Sequence, residues 1–300
     1  MTKGADFLIA GFNRCGTSTL HQILAQHPDL CMSNPKELHY FNFNNCYAKG
    51  LEWYDQFFAH GKKGQLKGDA TPSYIYKGVM FDADIDSYQW QPEDDSLKRI
   101  KNYNPDIKII ISLRHPLDGA LSSIEKAKVR GIESPKSPVH EILEAEWSGR
   151  KKIEETYNCH FYLTRYALHV EYLLSLFPRE NILFLVFEDW VKDQQGTLNK
   201  VTDFLRLERH TLNLDKDVRT NEGVSMKIPG LQKALMAVLP ERVAYAILIR
   251  FGAKKGYDKP QGTEYQKLAS AYAEDVARLQ TLTGLDLSLW NIPKIHDKAA

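Results

Sequence analysis

Short runs of apolar residues recur along the chain, and between them apolar positions return every three or four residues. The runs at Phe7–Phe12, Leu30–Ser33, Leu66–Asp69, Lys108–Leu113 and Ile182–Phe187 predict strands, and the near-continuous apolar character of most of them predicts burial on both faces. Helical spacing near 52–59, 96–103, 117–130, 140–155, 160–176 and 194–205 predicts helices. A further helix starts at Thr17, carries Leu20, Ile23 and Leu24 on one face, and stops at His27-Pro28. This alternation predicts an α/β fold with a central parallel sheet of about five strands flanked by helices on both faces. Residues 79–95 and 208–230 keep no period and predict loops, and after 230 the pattern is helical again.

The first strand runs into "GFNRCGTSTL", residues 11–20. Gly11, four residues, Gly16 and then hydroxyls is the spacing of a phosphate-cradling loop, yet Thr17 stands where an ATP-splitting loop carries lysine. The glycines let the backbone turn sharply, so that the amides of Cys15, Gly16, Thr17 and Ser18 face an oxyanion at the start of the helix. Thr17, Ser18 and Thr19 add hydroxyl donors, and Arg14 adds a guanidinium fork. Phosphoryl transfer from ATP uses the missing ammonium together with magnesium, for which Glu188-Asp189 is only a weak candidate. A nucleotide whose phosphate is held but not transferred fits better. A second anion grip is predicted where the strand Lys108–Leu113 emerges at Arg114, beside a helix carrying Ser122 and Ser123. Two grips at the carboxyl ends of two parallel strands imply phosphates at two separate positions of one nucleotide.

Composition narrows the partners. With 300 residues, 43% of them hydrophobic and 11% aromatic, the chain builds a substantial core. Its 39 basic and 38 acidic residues leave a net charge of +1, so no global field recruits nucleic acid or an anionic membrane, and any anion site is local. Cys15, Cys31, Cys46 and Cys159 have neither a CxxC pair nor metal-ligand spacing, which fits reduced thiols in the cytoplasm. The apolar run that ends before Asn13 is too short for a signal peptide, and Val243–Ile249, flanked by Arg242 and Arg250, reads as a buried or dimer-forming helix. A soluble cytoplasmic protein without an integral membrane segment is expected, and its oligomeric state stays open.

The stretches "FLIAGFNRCGTSTL", "NPKELHYF", "YAKGLEWY", "GDATPSYIY" and "IIISLRHPLDGALSS", in that order within residues 6–207, resemble the sulfotransferases that use 3′-phosphoadenosine 5′-phosphosulfate (PAPS). The likeness is above all to the branch of heparan-sulfate N-sulfotransferases and their bacterial relatives. It implies a P-loop-like three-layer fold in a single domain over 1–300, with a nucleotide-binding core at about 6–207 and a C-terminal helical part at about 230–300. It also implies PAPS as co-substrate, the bisphosphate PAP as product, and no metal. Arg14, Cys15, Gly16, Thr17, Ser18 and Thr19 would surround the 5′-phosphosulfate, and Arg114 with Ser122 would grip the 3′-phosphate. Lys227 would come from a late loop over the nucleotide, and Glu37 falls where this branch has its catalytic carboxylate. Arg14 replaces the family's usual loop lysine, and Gly119 stands where the second motif commonly has arginine.

Sulfuryl transfer is an in-line displacement that needs positive charge at the departing phosphate and a base at the incoming nucleophile. Loop amides, Arg14 and Lys36 serve the first need. Glu37 is the first candidate base and His39 the competing one, since imidazole titrates near neutrality unaided. Asp69 would orient the base or the acceptor, or cap its own turn. For the acceptor, a small hydroxyl- or amine-bearing metabolite is preferred over a carbohydrate. Asp82, Asp84, Asp86, Glu93, Asp94 and Asp95, with Tyr88 and Trp90, suggest a lid suited to a cationic molecule. The competing readings are a small-molecule kinase using ATP and a nucleotide-binding scaffold without turnover.

Overall fold

A strand with every side chain buried needs neighbours on both edges and cover on both faces, and Phe7–Gly11 is such a strand. The computed structural model describes residues 4–81, 88–90, 95–130, 132–134, 136–150, 159–211, 224–226, 253–255 and 259–293, and positions 235, 238, 239 and 247. In chain order the strands are β1 (Phe7–Gly11), β2 (Leu30–Met32), β3 (Leu66–Ala70), β4 (Val79–Phe81), β5 (Tyr88–Trp90), β6 (Lys108–Leu113), β7 (Ile182–Val186), β8 (Val224–Met226) and β9 (Ala253–Lys255). Five of them form one sheet in the order β2-β3-β1-β6-β7, and each neighbouring pair is parallel. From β1 the chain goes to β2 and β3 on one side and then to β6 and β7 on the other. That reversal at β1 opens the crevice beyond the carboxyl ends of the strands where α/β proteins bind ligands.

The chain divides into two compact units. The first, residues 1–115, 166–220 and 281–284, holds the five-stranded sheet with α1 (Thr17–Leu24), α2 (Asn44–Tyr47), α3 (Gly50–Asp55), α4 (Ser96–Tyr103), and, further along, α8 (Tyr166–Leu176), α9 (Phe187–Lys192) and α10 (Gln194–Leu205). Phe7 and Ile9 of β1, Leu24 of α1, Leu185 of β7 and Val201 of α10 meet in its core. The second, residues 116–165, 221–280 and 285–300, holds α5 (Pro116–Arg130), α6 (Val139–Trp147), α7 (His160–Leu163), the antiparallel pair β8–β9 and α11 (Gly262–Ser270); α12 (Ala273–Thr283) begins in it.

Helices with a strong start signal lie where the pattern predicts them. The Asp95 carboxylate accepts the amides of Leu97 and Lys98 and starts α4, and Asp193 accepts from Gly196 and starts α10. Elsewhere the structure corrects the sequence reading. The aperiodic stretch at 79–95 contains the antiparallel pair β4–β5, and its Asp95 caps a helix; Asp82, Asp84, Asp86, Glu93 and Asp94 lie outside the described residues. The last strand of the sheet ends at Val186, because Glu188 and Asp189 in a first turn favour a helix from Phe187. The single helix expected over 160–176 is two: α7 ends at Leu163, where Thr164 leaves helical geometry (φ −104°, ψ 5°) and its hydroxyl lies 2.7 Å from the His160 carbonyl, and α8 starts at Tyr166. In the tail expected to be helical, β9 is a strand paired with β8.

Candidate functional site

The turn from β1 into α1 is built by two left-handed residues, Arg14 (φ 65°) and Gly16 (φ 76°). Only glycine fits the second: a Cβ there would stand 2.7 Å from the Phe187 ring and closer still to Trp190. The first intrahelical bond of α1 runs from the Leu20 amide to the Gly16 carbonyl (3.1 Å), so the amides of Thr17, Ser18 and Thr19 precede every helical acceptor. The first turn of α1 holds no acidic residue, so nothing within that turn offsets the positive end of the helix. The Cys15 amide, enlisted by the sequence reading, instead closes the loop on the Phe12 carbonyl (3.3 Å). Burial pushes the Cys15 thiol up to about 12, and its neighbour is the Tyr166 hydroxyl at 3.6 Å, so this side chain is an uncharged wall.

Arg114, at the carboxyl end of β6, meets this loop. Its Nη1 donates to the Arg14 carbonyl at 3.1 Å, and its guanidinium lies 4.9 Å from the centre of the Phe187 ring. The Ser112 hydroxyl donates to the Cys15 carbonyl (2.7 Å) and accepts from Trp190 Nε1 (3.3 Å). Sequence reasoning did not assign Phe187 and Trp190 of α9, which brace both the loop and Arg114; the available signal was an aromatic pair directly after a buried strand. Glu188, considered there as a magnesium ligand, accepts the His115 amide at 2.9 Å. Ser122 is buried on α5 in the second unit, and Lys227 lies outside the described residues.

The third part of the site follows β2. Lys36 and Glu37 form an ion pair, with Glu37 exposed. Glu37 (φ 60°) and His39 (φ 54°) are both left-handed, an arrangement that costs non-glycine residues about 1–3 kcal/mol and persists only where the surroundings enforce it. The His39 ring stacks on Phe43 at 4.1 Å, with Nδ1 3.3 Å from Asn42 Oδ1. Asn42 Nδ2 donates to the Ser73 hydroxyl (3.0 Å), and both Asn42 Oδ1 and Ser73 Oγ lie within 3.4 Å of His39 Nδ1. His21, which the sequence reading passed over, sits on α1 one turn beyond the loop hydroxyls. Its Nε2 lies 3.1 Å from the Ser33 carbonyl, and burial, aided by the Lys36 ammonium, lowers its pKa below the ordinary value despite the opposing Ser33 carbonyl and Glu37.

Asp69, at the end of β3, is fully buried. It accepts hydroxyls from Tyr54 (2.9 Å), Tyr74 (2.8 Å) and Thr71 (2.8 Å). Burial raises its pKa, and the three hydroxyls and Lys36 oppose the rise. These bonds run to side-chain hydroxyls, and none of them reaches Glu37, His39 or a backbone amide.

A parallel five-stranded sheet whose first strand passes through a glycine-bearing turn into a helix defines the P-loop-like α/β class. Within that class the chain belongs to the sulfotransferase domain family, whose model matches residues 4–227, and it is a sulfotransferase enzyme. The kinase and scaffold readings are thereby set aside. The chain is 27% identical over 287 residues to mouse (Mus musculus) heparan sulfate glucosamine 3-O-sulfotransferase 6, covering 93% of this chain and 72% of the relative. It is 30% identical over 227 residues to mouse heparan sulfate glucosamine 3-O-sulfotransferase 3B1, covering 76% and 51%. A solved sulfotransferase from Alicyclobacillus acidocaldarius shares the fold, with a TM-score of 0.64 at 22% identity over 96% of this chain and 98% of that one. Among the described residues no helix is long and apolar enough to cross a membrane, and no group of three or more His, Cys, Asp or Glu is placed to hold a metal ion.

Proposed function

We propose that the enzyme moves the sulfuryl group of PAPS, by in-line displacement, to a hydroxyl or amine of a carbohydrate acceptor. The observation that carries the donor reading is the 3.1 Å bond between Arg114 and the Arg14 carbonyl: the two cationic strand ends stand side by side, as one nucleotide bearing phosphates at both ends requires. The chain also fits such an anion, with no acidic residue in the first turn of α1 and a glycine turn that excludes a Cβ. On this reading the amides of Gly16 to Thr19, with Arg14 and Lys36, neutralise the departing phosphate, each well-placed donor being worth about 3 kcal/mol. Arg114 holds the 3′-phosphate, with Ser122 and Lys227 as further candidates. Arginine in place of lysine at 14 supplies a planar, permanently charged fork instead of a point charge.

At the attacking end, Glu37 takes the acceptor proton once its ion pair with Lys36 opens and the ammonium turns to the leaving group. His39 is the second candidate base. The relatives named for heparan sulfate glucosamine support a sugar acceptor over a small metabolite.

Thermal shift in chelator tests the donor. At a hundred times its dissociation constant PAP should stabilise by about 2.7 kcal/mol and raise Tm by roughly 5 °C, while ATP with magnesium, in a parallel sample without chelator, does little. A response to ATP but not PAP overturns the reading. PAP release from PAPS with N-sulfated heparosan oligosaccharides, lost in Glu37→Gln, would support the acceptor half; release with small amines alone would overturn it.

A further inference from the structure

Two separate stretches, 37–42 and 69–74, are bonded to each other along their length. The Glu37 amide donates to the Ala70 carbonyl (3.2 Å), the Tyr40 amide to the Tyr74 hydroxyl oxygen (3.0 Å) and Asn42 Nδ2 to the Ser73 hydroxyl (3.0 Å), and Ser73 Oγ lies 3.4 Å from His39 Nδ1. They are neighbours because β2 and β3 pair in parallel, with Met32 opposite Gly68, so both chains leave the sheet at the same edge. The first stretch carries the two candidate bases, each in a left-handed conformation that the chain would leave if released.

The bond to Tyr74 depends on Asp69. A tyrosine hydroxyl has one hydrogen, and it accepts the Tyr40 amide with a lone pair only if that hydrogen points elsewhere. Asp69 Oδ2, 2.8 Å away, takes it. The carboxylate is held against a low-dielectric surrounding by three hydroxyls and has no other function in the proposed reaction.

We propose that Asp69 and Tyr74 are positioning residues for sulfuryl transfer: the buried carboxylate orients the Tyr74 hydroxyl, which clamps the Tyr40 amide and holds Glu37 and His39 in their left-handed conformations. This rests on the reading of residues 36–39 as the attacking-end machinery. The hydrogen bonds of Asp69 and Tyr74 run to Tyr54, Thr71 and the Tyr40 amide, so the clamp acts first on the base segment and reaches the nucleotide only through Lys36. A misplacement of about 1 Å at a reacting group costs on the order of a hundredfold in rate.

The test compares Tyr74→Phe with Tyr54→Phe. Both remove one hydroxyl from the same oxygen of Asp69, but the Tyr54 hydroxyl makes no bond to residues 37–42. The readouts are hydrogen exchange over residues 37–43, PAP affinity by calorimetry, and PAPS hydrolysis by water, which needs no identified acceptor. Tyr74→Phe should speed exchange in that segment and lower kcat about 10–100-fold with PAP affinity changed less than twofold. Tyr54→Phe should keep kcat within about threefold of the parent, and Asp69→Asn should follow Tyr74→Phe. Equal kcat in the two tyrosine variants, or equal loss of kcat and PAP affinity in Tyr74→Phe, overturns the proposal. If Glu37→Gln and His39→Ala also leave turnover intact, the reading of the base segment falls as well; if they abolish it, only the clamp does.

Discussion

Replacing Gly16 with alanine separates backbone from steric demand in the donor loop. At φ 76° any side chain pays about 1–2 kcal/mol for the left-handed conformation. The added Cβ would also stand 2.7 Å from Phe187, about 0.7 Å inside ordinary contact, and still closer to Trp190. Both rings are anchored, Trp190 by its bond to Ser112 and Phe187 by Trp190 and the Arg114 guanidinium, so relief requires moving the loop or breaking these contacts. Overpacking of this kind costs about 1–3 kcal/mol, and the two effects together reach roughly 2–5 kcal/mol. At about 1.6 °C per kcal/mol for a chain of this size, scanning calorimetry should read a Tm lowered by roughly 3–8 °C. Gly50→Ala is the matched control: φ is 80° but nothing lies within 4 Å of its Cβ, so only the backbone cost of about 1–2 kcal/mol applies. PAP affinity should fall at least tenfold in Gly16→Ala and stay unchanged in Gly50→Ala. Equal Tm losses in the two variants would refute the steric argument, and undiminished PAP binding in Gly16→Ala would refute the placement of the anion.

Arg114→Lys loses the planar stack on Phe187 and the fixed donor to the Arg14 carbonyl, so the PAP dissociation constant should rise about 10–100-fold by calorimetry. Because folding lowers the His21 pKa below 6.5, the unfolded chain binds more protons there; the stability His21 contributes is complete above pH 6.5 and is lost as pH falls toward the folded value. His21→Gln should therefore flatten the Tm profile between pH 7 and 5, and a slope equal to the parent's would refute this. Iodoacetamide at pH 8 should label Cys46 well before Cys15, whose thiol is buried with a pKa near 12; mass spectrometry showing Cys15 labelled first would contradict the burial.

The sheet was readable because its strands are runs such as Ile109–Leu113 that no surface element tolerates. α4 and α10 were readable from their apolar spacing, while their aspartate caps, equally local signals, went unread, Asp95 having been assigned to an acidic lid. What failed were elements too short to display a period: β4 and β5 are three residues each, and α7 is four.

The site divides along the same line. A turn bent by glycine at a fixed spacing is a local signal, so residues 11–19 were legible as a candidate loop, and a cation at a strand end made Arg114 a candidate beside it. The supports are different in kind. Phe187 reaches the loop only because β7 lies beside β6, and Tyr74 reaches Tyr40 only because β3 lies beside β2, although 34 residues separate them along the chain. Strand order thus decides which motifs touch. It also explains why "NPKELHYF" and "GDATPSYIY" belong together: the first carries the left-handed Glu37 and His39, and the second receives the hydrogen bonds of the Glu37 and Tyr40 amides.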